Sequence, residues 1–273
     1  MESLKIRRPV VAGQFYSSSK QQLTKEIESF LDKKVAKKDV IGCMLPHAGY
    51  LYSGRVAAQT VSNIKIKDRV VLLGPNHTGQ GAFFSIMTEG AWQTPLGEIK
   101  IDSDLAKRIL KNSKYLEDDI MAHAYEHSLE VELPILQYFR QDFKIVPIAF
   151  LSDDLDALKK TGEEIAGVLK EPDIKDSVML VASSDMTHYE PQADAEKKDK
   201  EAINAILELD EDKLMDKIQQ FNITMCGYAP VITMIKAAKL LGAKNAELIK
   251  YQTSGDITGD TKSVVGYAGI IIY

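Results

Sequence analysis

Three of the five histidines in this 273-residue chain stand where short apolar runs end. Pro46-His47-Ala48-Gly49-Tyr50 follows the run Val40 to Leu45, and Gly74-Pro75-Asn76-His77 follows Val70 to Leu73. Ser183-Ser184-Asp185-Met186-Thr187-His188 follows Ser177 to Ala182. An apolar run of this length reads as a buried strand, and its carboxyl end is where an open α/β sheet binds ligands. Imidazole is the commonest metal ligand and the only side chain that titrates near neutrality unperturbed. Two neutral imidazoles with one anionic ligand and open positions make a catalytic metal site. Asp185, Glu126 and Cys226 are the candidate anions. Cys226 precedes Gly227-Tyr228-Ala229-Pro230 at a helix entrance, where the helix dipole favours a thiolate. Cys43, inside an apolar run, reads as a small core hydrophobe.

Other chemistries fit less well. His123-x-x-Glu126-His127 matches the inverted zinc-protease pattern, which needs all three on one helix. No clear third ligand follows it. Ser183 or Ser184 with His188 and Asp185 makes a conceivable triad, but there is no Gly-x-Ser-x-Gly elbow. Neither a P-loop nor a Gly-x-Gly-x-x-Gly is present, so no nucleotide cofactor is expected.

The elements that must position these residues alternate along the chain. Helices are expected from Lys20 to Lys34, from Gly54 to Ile64 with Ser53 as N-cap, and after Asp102 through Leu110. An apolar face at Val131 to Leu136 is expected to break early at Pro134. Further helices are expected from Asp153 or Asp154 to about Lys170, Asp194 to Leu207, Glu211 to Phe221 and Val231 to Leu241. Besides the three histidine-bearing strands, Lys144 to Leu151 reads as a buried strand. Ala246 to Gln252 and Val264 to Tyr273 come without a clear helix between them and are expected to pair antiparallel. The pattern implies a three-layer α/β/α fold with a central mixed, mostly parallel sheet, in one domain over residues 1–273.

Composition bounds the rest. Hydrophobic residues at 45% and charged ones at 27% are ordinary for a soluble globular chain. A net charge of -5 argues against nucleic acid or an anionic membrane as partner. No run approaches the roughly 18 to 20 apolar residues of a membrane span. Met1 to Arg8 has basic residues but no apolar core or cleavage site, so no secretory leader is expected. Two cysteines give no disulfide framework, and a reducing cytoplasm is the expected setting.

In combination, Arg8-Pro-Val-Val-Ala-Gly-Gln-Phe-Tyr16, Pro46-His-Ala-Gly-Tyr50, Leu73-Gly-Pro-Asn-His77, Glu126-His-Ser-Leu-Glu130, Ser183-Ser-Asp-Met-Thr-His188 and Met225-Cys-Gly-Tyr-Ala-Pro230 resemble the Memo family over nearly the whole chain. That family's fold is similar to the LigB-like, class III extradiol dioxygenases. The resemblance implies metal ligands at His47, His77 and Cys226, with Asp185 and His188 in the same pocket and His188 as acid/base. It also implies that Glu126, His127 and Tyr50 line that pocket. Extradiol dioxygenases hold iron with two histidines and a carboxylate, whereas here the third position is a cysteine, softer and suited to copper(I), zinc or iron. The resemblance therefore implies a mononuclear iron or copper site, with zinc as a third candidate, used in redox or oxygen-dependent chemistry. A non-heme iron dioxygenase-like enzyme acting on a small aromatic substrate is the alternative enzyme class. A metal-independent module binding a peptide or protein is the non-enzymatic one, since some members bind phosphotyrosine peptides. The expected ligand in the pocket is a small molecule or peptide.

Overall fold

Four strands rich in β-branched and aliphatic residues run parallel at the centre of the sheet, in the order Gly42–Leu45, Val178–Ser183, Arg69–Pro75 and Lys144–Phe150. Their near-continuous apolar runs are those of strands covered on both faces, and every residue of Val178–Ser183 is buried. The computed structural model in which they are seen describes residues 6–32 and 36–273. Antiparallel pairs flank the parallel centre. Val264–Ile272 pairs antiparallel with Gly42–Leu45, with Ala246–Thr253 and with the short strand His188–Glu190. On the other flank Phe84–Ile86 pairs antiparallel with Lys144–Phe150. A separate three-stranded sheet joins Ile6–Arg7, Ala91–Thr94 and Gly97–Lys100.

Helices cover both faces, so the three-layer α/β/α architecture expected from the alternation is the one observed. Tyr50–Ser62 packs with Lys20–Phe30 and Ser128–Phe139, while Tyr228–Leu240 packs with Leu155–Leu169. The latter pair approaches so closely at Gly162 that a Cβ there would lie 2.6 Å from the Thr233 carbonyl oxygen. Among the described residues, no helix is long and apolar enough to cross a membrane.

Several boundaries differ from those read in the sequence. The helix after His47 begins at Tyr50, with Gly49 rather than Ser53 as N-cap. The Tyr50 N–H is satisfied by the Phe15 carbonyl instead of a capping hydroxyl, and Ser53 Oγ turns back to the Ala48 carbonyl. Lys20–Phe30 stops at an extended Leu31, short of the expected Lys34, which like Met1 to Lys5 lies outside the described residues. Pro134 does not break its helix: Ser128–Phe139 runs through it. Residues Ser128 to Gln137 are all buried, and packing on every side offsets a cost of about 3 kcal/mol for an internal proline. Tyr228–Leu240 starts three residues before Val231, since Pro230 in a first turn has no helical N–H partner to forgo.

Candidate metal centre

Strand register decides what meets at the carboxyl edge. Leu45 pairs with Ser183 in the parallel ladder, so two residues further on His47 and Asp185 come side by side. The His47 N–H donates to Asp185 Oδ1 at 2.8 Å, and His47 Nε2 lies 4.0 Å from Asp185 Oδ2. His77 leaves the neighbouring strand at the same edge, and the His47 and His77 ring centroids are 5.2 Å apart. Cys226 arrives from the opposite direction, one residue before the N-cap of Tyr228–Leu240. Its Sγ is 3.3 Å from His47 Nε2 and accepts the Asp185 N–H at 3.3 Å. Gly227 permits this approach, because a Cβ there would lie 2.2 Å from the Ser183 carbonyl oxygen. One potential ligand atom each from His47, His77 and Cys226 fall within 4.8 Å of one another.

The groups behind the imidazoles set which nitrogens are free. His77 Nδ1 lies 2.9 Å from Glu126 Oε1, and Glu126, fully buried, also accepts the N–H groups of His77 and Ser128. A carboxylate can only accept, so Nδ1 carries the proton and, in the neutral ring, Nε2 keeps a free lone pair. His188 Nδ1 lies 2.9 Å from the Thr224 carbonyl, which by the same logic leaves its Nε2 free. His47 Nδ1 lies 2.8 Å from Ser183 Oγ. His127 stacks on His77 with centroids 4.8 Å apart and also packs edge-on against Phe15.

Burial governs the charges. It would raise the Glu126 carboxyl, but the His77 hydrogen bond and charge, the Ser128 N–H and His127 together hold it at about 2. Burial opposes a charge on His77, yet the hydrogen bond and field of Glu126, with Asp185 behind, raise its pKa above the ordinary value. Burial and then the neighbouring His77, His127 and His188 push His47 well below the usual imidazole range, so it is neutral. Burial lifts Asp185 to about 6, against the pull of His188 and the His47 and Ala48 N–H groups. Cys226 corrects the expected helix-entrance thiolate: burial, then the Asp185 charge, drive its thiol well above the ordinary value. A coordinating cation would reverse that, since metal-bound thiols deprotonate outright.

A consequence for stability follows from Glu126. A folded-state pKa of about 2 against an unfolded value near 4.3 means its contribution is present above the unfolded value and lost as pH falls through the folded one. His77 works in the opposite sense, its contribution full below about 6.5 and fading as pH rises through its raised value. Urea midpoints of the metal-free wild type should therefore fall between about pH 4 and pH 2, and Glu126→Gln should flatten that limb. An unchanged limb in the variant would remove Glu126 as its cause.

The pocket above these groups encloses about 760 Å³, and Phe15, Tyr52, Tyr189 and Tyr267 supply its aromatic walls. His47, His77, His127, Asp185 and His188 also line it. Tyr50 does not: its ring is in the core beside Tyr16 and Phe30, and its hydroxyl donates to the Val131 carbonyl at 2.8 Å. The helix that begins at Tyr50 turns that side chain inward and leaves Tyr52 at the pocket. Glu126 stands behind His77 rather than on the pocket surface. The protease arrangement is not assembled, because His123 sits on the short helix Met121–Ala124 with Nε2 against Ser85 while His127 precedes another helix. The triad fails too, since the Ser183 and Ser184 hydroxyls are engaged with His47, Glu132, the Asp185 carbonyl and the Gly227 N–H. Tyr52, Tyr267 and the segment around the short helix Gly255–Thr258 that carries Ser254, Thr258 and Asp260 have no strand-end signal and escape sequence reading.

With metal–ligand bonds of about 2.0–2.3 Å, two ligands of one tetrahedral ion lie roughly 3.3–3.8 Å apart, so the His47, His77 and Cys226 ligand atoms, within 4.8 Å of one another, would have to draw together to share an ion. Two imidazoles and a thiol suit copper(I), zinc or iron rather than calcium or magnesium. Three protein ligands leave positions open.

A family model described as Memo-like protein matches residues 7–271. Among similar proteins, a MEMO1 family protein of Methanococcoides burtonii is 46% identical over 269 residues, covering 98% of this chain and 100% of its own. One from Aquifex aeolicus is 44% identical over 272 residues, covering 98% and 99%. One from Methanopyrus kandleri is 42% identical over 279 residues, covering 97% and 98%. The crystal structure of an uncharacterized Escherichia coli K12 protein shares the fold, with a TM-score of 0.54 at 12% identity over 84% of this chain and 98% of that one.

Proposed function

The chain belongs to the Memo-like protein family, and on that premise we propose that it binds one iron or copper ion, with zinc as third candidate, through His47, His77 and Cys226. The observation that carries this reading is their convergence within 4.8 Å at the carboxyl edge of the sheet. Bound there, the ion would supply Lewis acidity and, for iron or copper, redox chemistry. Glu126 orients His77 and raises its basicity, as carboxylates behind ligating histidines do. Asp185, fixed by the His47 N–H, holds negative charge or a proton beside the ligands. His188 takes or gives a proton at Nε2, its ring locked by Thr224. A small molecule or peptide enters between the aromatic walls. Two free cysteines support a reducing, cytoplasmic setting for such a site. Anaerobic titration with iron(II) and copper(I) tests the proposal: one ion bound per chain supports it, and no stoichiometric uptake of either or of zinc overturns it.

The aromatic walls favour one second reading, a dioxygenase-like oxidation of a small aromatic ring. On it, His188→Gln should keep its metal yet lose about 10²–10⁴-fold in oxygen uptake with a catechol panel. Uptake unchanged in the variant would remove His188 from proton transfer, and no uptake by the iron-loaded wild type would remove the reading.

A further inference from the structure

Three buried carboxyls lie close together in sequence at and inside the helix Ser128–Phe139, and they are not alike. Glu126 accepts from His77 and Ser128, and Glu130 from Arg7, Val10, Val11 and Tyr16. Glu132 is equally buried, yet its partner is the Ser183 hydroxyl at 2.8 Å, and its Oε2 has none. Among the described residues no lysine, arginine or histidine forms an ion pair with it. The titratable groups whose fields reach it, Cys43, Tyr50 and Asp185, bring no positive charge. A bare carboxylate in such a place is strongly disfavoured by lost hydration.

Counting hydrogens around Ser183 gives the same answer. Its Oγ lies 2.8 Å from His47 Nδ1, 2.9 Å from the Ser128 carbonyl oxygen and 2.8 Å from Glu132 Oε1. The hydroxyl has one hydrogen to give and two lone pairs to fill. The carbonyl can only accept, and a neutral Glu132 acid, unlike a carboxylate, leaves the hydroxyl hydrogen to it. The two remaining contacts are then hydrogen bonds only if His47 Nδ1 and Glu132 both donate.

We propose that Glu132 is a neutral carboxylic acid that acts through Ser183 as a positioning residue for His47, fixing the Nδ1–H tautomer while withholding negative charge from that ring. This rests on the metal-site reading for its purpose, though not for its proton. It makes the two imidazoles unequal donors: His77 is backed by a carboxylate, and His47 by an uncharged relay. Keeping Glu132 neutral limits the anionic charge at a centre that already carries Glu126, Asp185 and, when coordinated, the Cys226 thiolate.

Infrared difference spectroscopy on the metal-free full chain tests the proton. We expect a carboxylic-acid carbonyl band at neutral pH that is lost in Glu132→Gln and that shifts when the wild type carries isotope-labelled glutamate. A wild type without a protonated-glutamate band overturns the proposal, whether or not the variant folds. Zinc(II) binding tests the positioning role. Glu132→Gln, whose amide N–H donates to Ser183 as the acid does, should keep affinity within about threefold, while Ser183→Ala should lose about 10–100-fold. A tenfold loss in Glu132→Gln, or none in Ser183→Ala, refutes the role. Absence of all metal binding would overturn the metal reading and the role together, while the infrared band would still decide the proton.

Discussion

Replacing Cys226 with serine is expected to lower anaerobic copper(I) affinity by more than about 100-fold while leaving the fold intact. The magnitude follows from the donor chemistry. Losing a group that merely orients a ligand costs about 10–100-fold in metal affinity, so losing a ligand atom costs more. Serine is close to cysteine in size, and Cys226 is not part of the aliphatic core, so unfolding should not confuse the result. Its hydroxyl is too weak an acid and too hard a donor to replace a thiolate on a soft ion. His47→Ala should match the loss, because its Nε2 lies 3.3 Å from the same sulfur. Equilibrium titration against a competing chelator, with the unfolding midpoint as control, measures both. Survival of iron(II) binding in Cys226→Ser would place the third ligand at Asp185, which adjoins His47, and would restore the two-histidine, one-carboxylate pattern of the dioxygenases. Survival in His47→Ala as well would remove the proposed centre.

What made this site legible is that parallel strands deliver their carboxyl ends to one edge. Apolar runs announced the strands and their ends announced the edge, which was enough for His47, His77 and Asp185, whereas His188 follows in a short antiparallel strand of its own. Cys226 was legible from its place at a helix entrance only as one of three candidate anions, and the family resemblance singled it out. Three things were hidden. Side-chain direction is the first: Tyr50 and Tyr52 are two residues apart, and only the helix start, set by the Phe15 carbonyl rather than by a capping side chain, decides which of them faces the pocket. The second is charge, since the helix entrance promised a thiolate at Cys226 and burial beside Asp185 outweighs it. The third is support across long sequence separations. Nothing local tells that Ser183 and Glu132 stand behind His47, or that Pro134 sits in a helix buried enough to tolerate it.

The N-terminal lead-in is held by a buried ion pair, and breaking it should be a large stability effect. Arg7 Nη1 meets Glu130 Oε2 at 2.6 Å, with side-chain exposures of 5% and 0%. Glu130 also holds the Val10 and Val11 N–H groups and the Tyr16 hydroxyl, and the Arg7 guanidinium lies 4.1 Å over the Trp92 ring. Glu130→Gln leaves the Arg7 charge buried and uncompensated, at a cost of about 3–5 kcal/mol and a Tm lower by on the order of 10 °C. Adding Arg7→Met to that variant should recover part of the loss, because the double change leaves no bare charge behind. Denaturant unfolding of the wild type, both singles and the double gives the coupling directly, and additive losses would mean that the pair does not act as a unit. The site should respond differently from the fold. Phe15 packs on His127 and closes one wall of the pocket, so a loosened lead-in should weaken what the pocket holds. The ligands themselves hang from the sheet edge and from the entrance of Tyr228–Leu240, so zinc affinity of folded Glu130→Gln should fall by less than about tenfold, below the 10–100-fold of an orienting group. A larger drop would mean that the lead-in, and not the sheet alone, holds His47 and His77 in place.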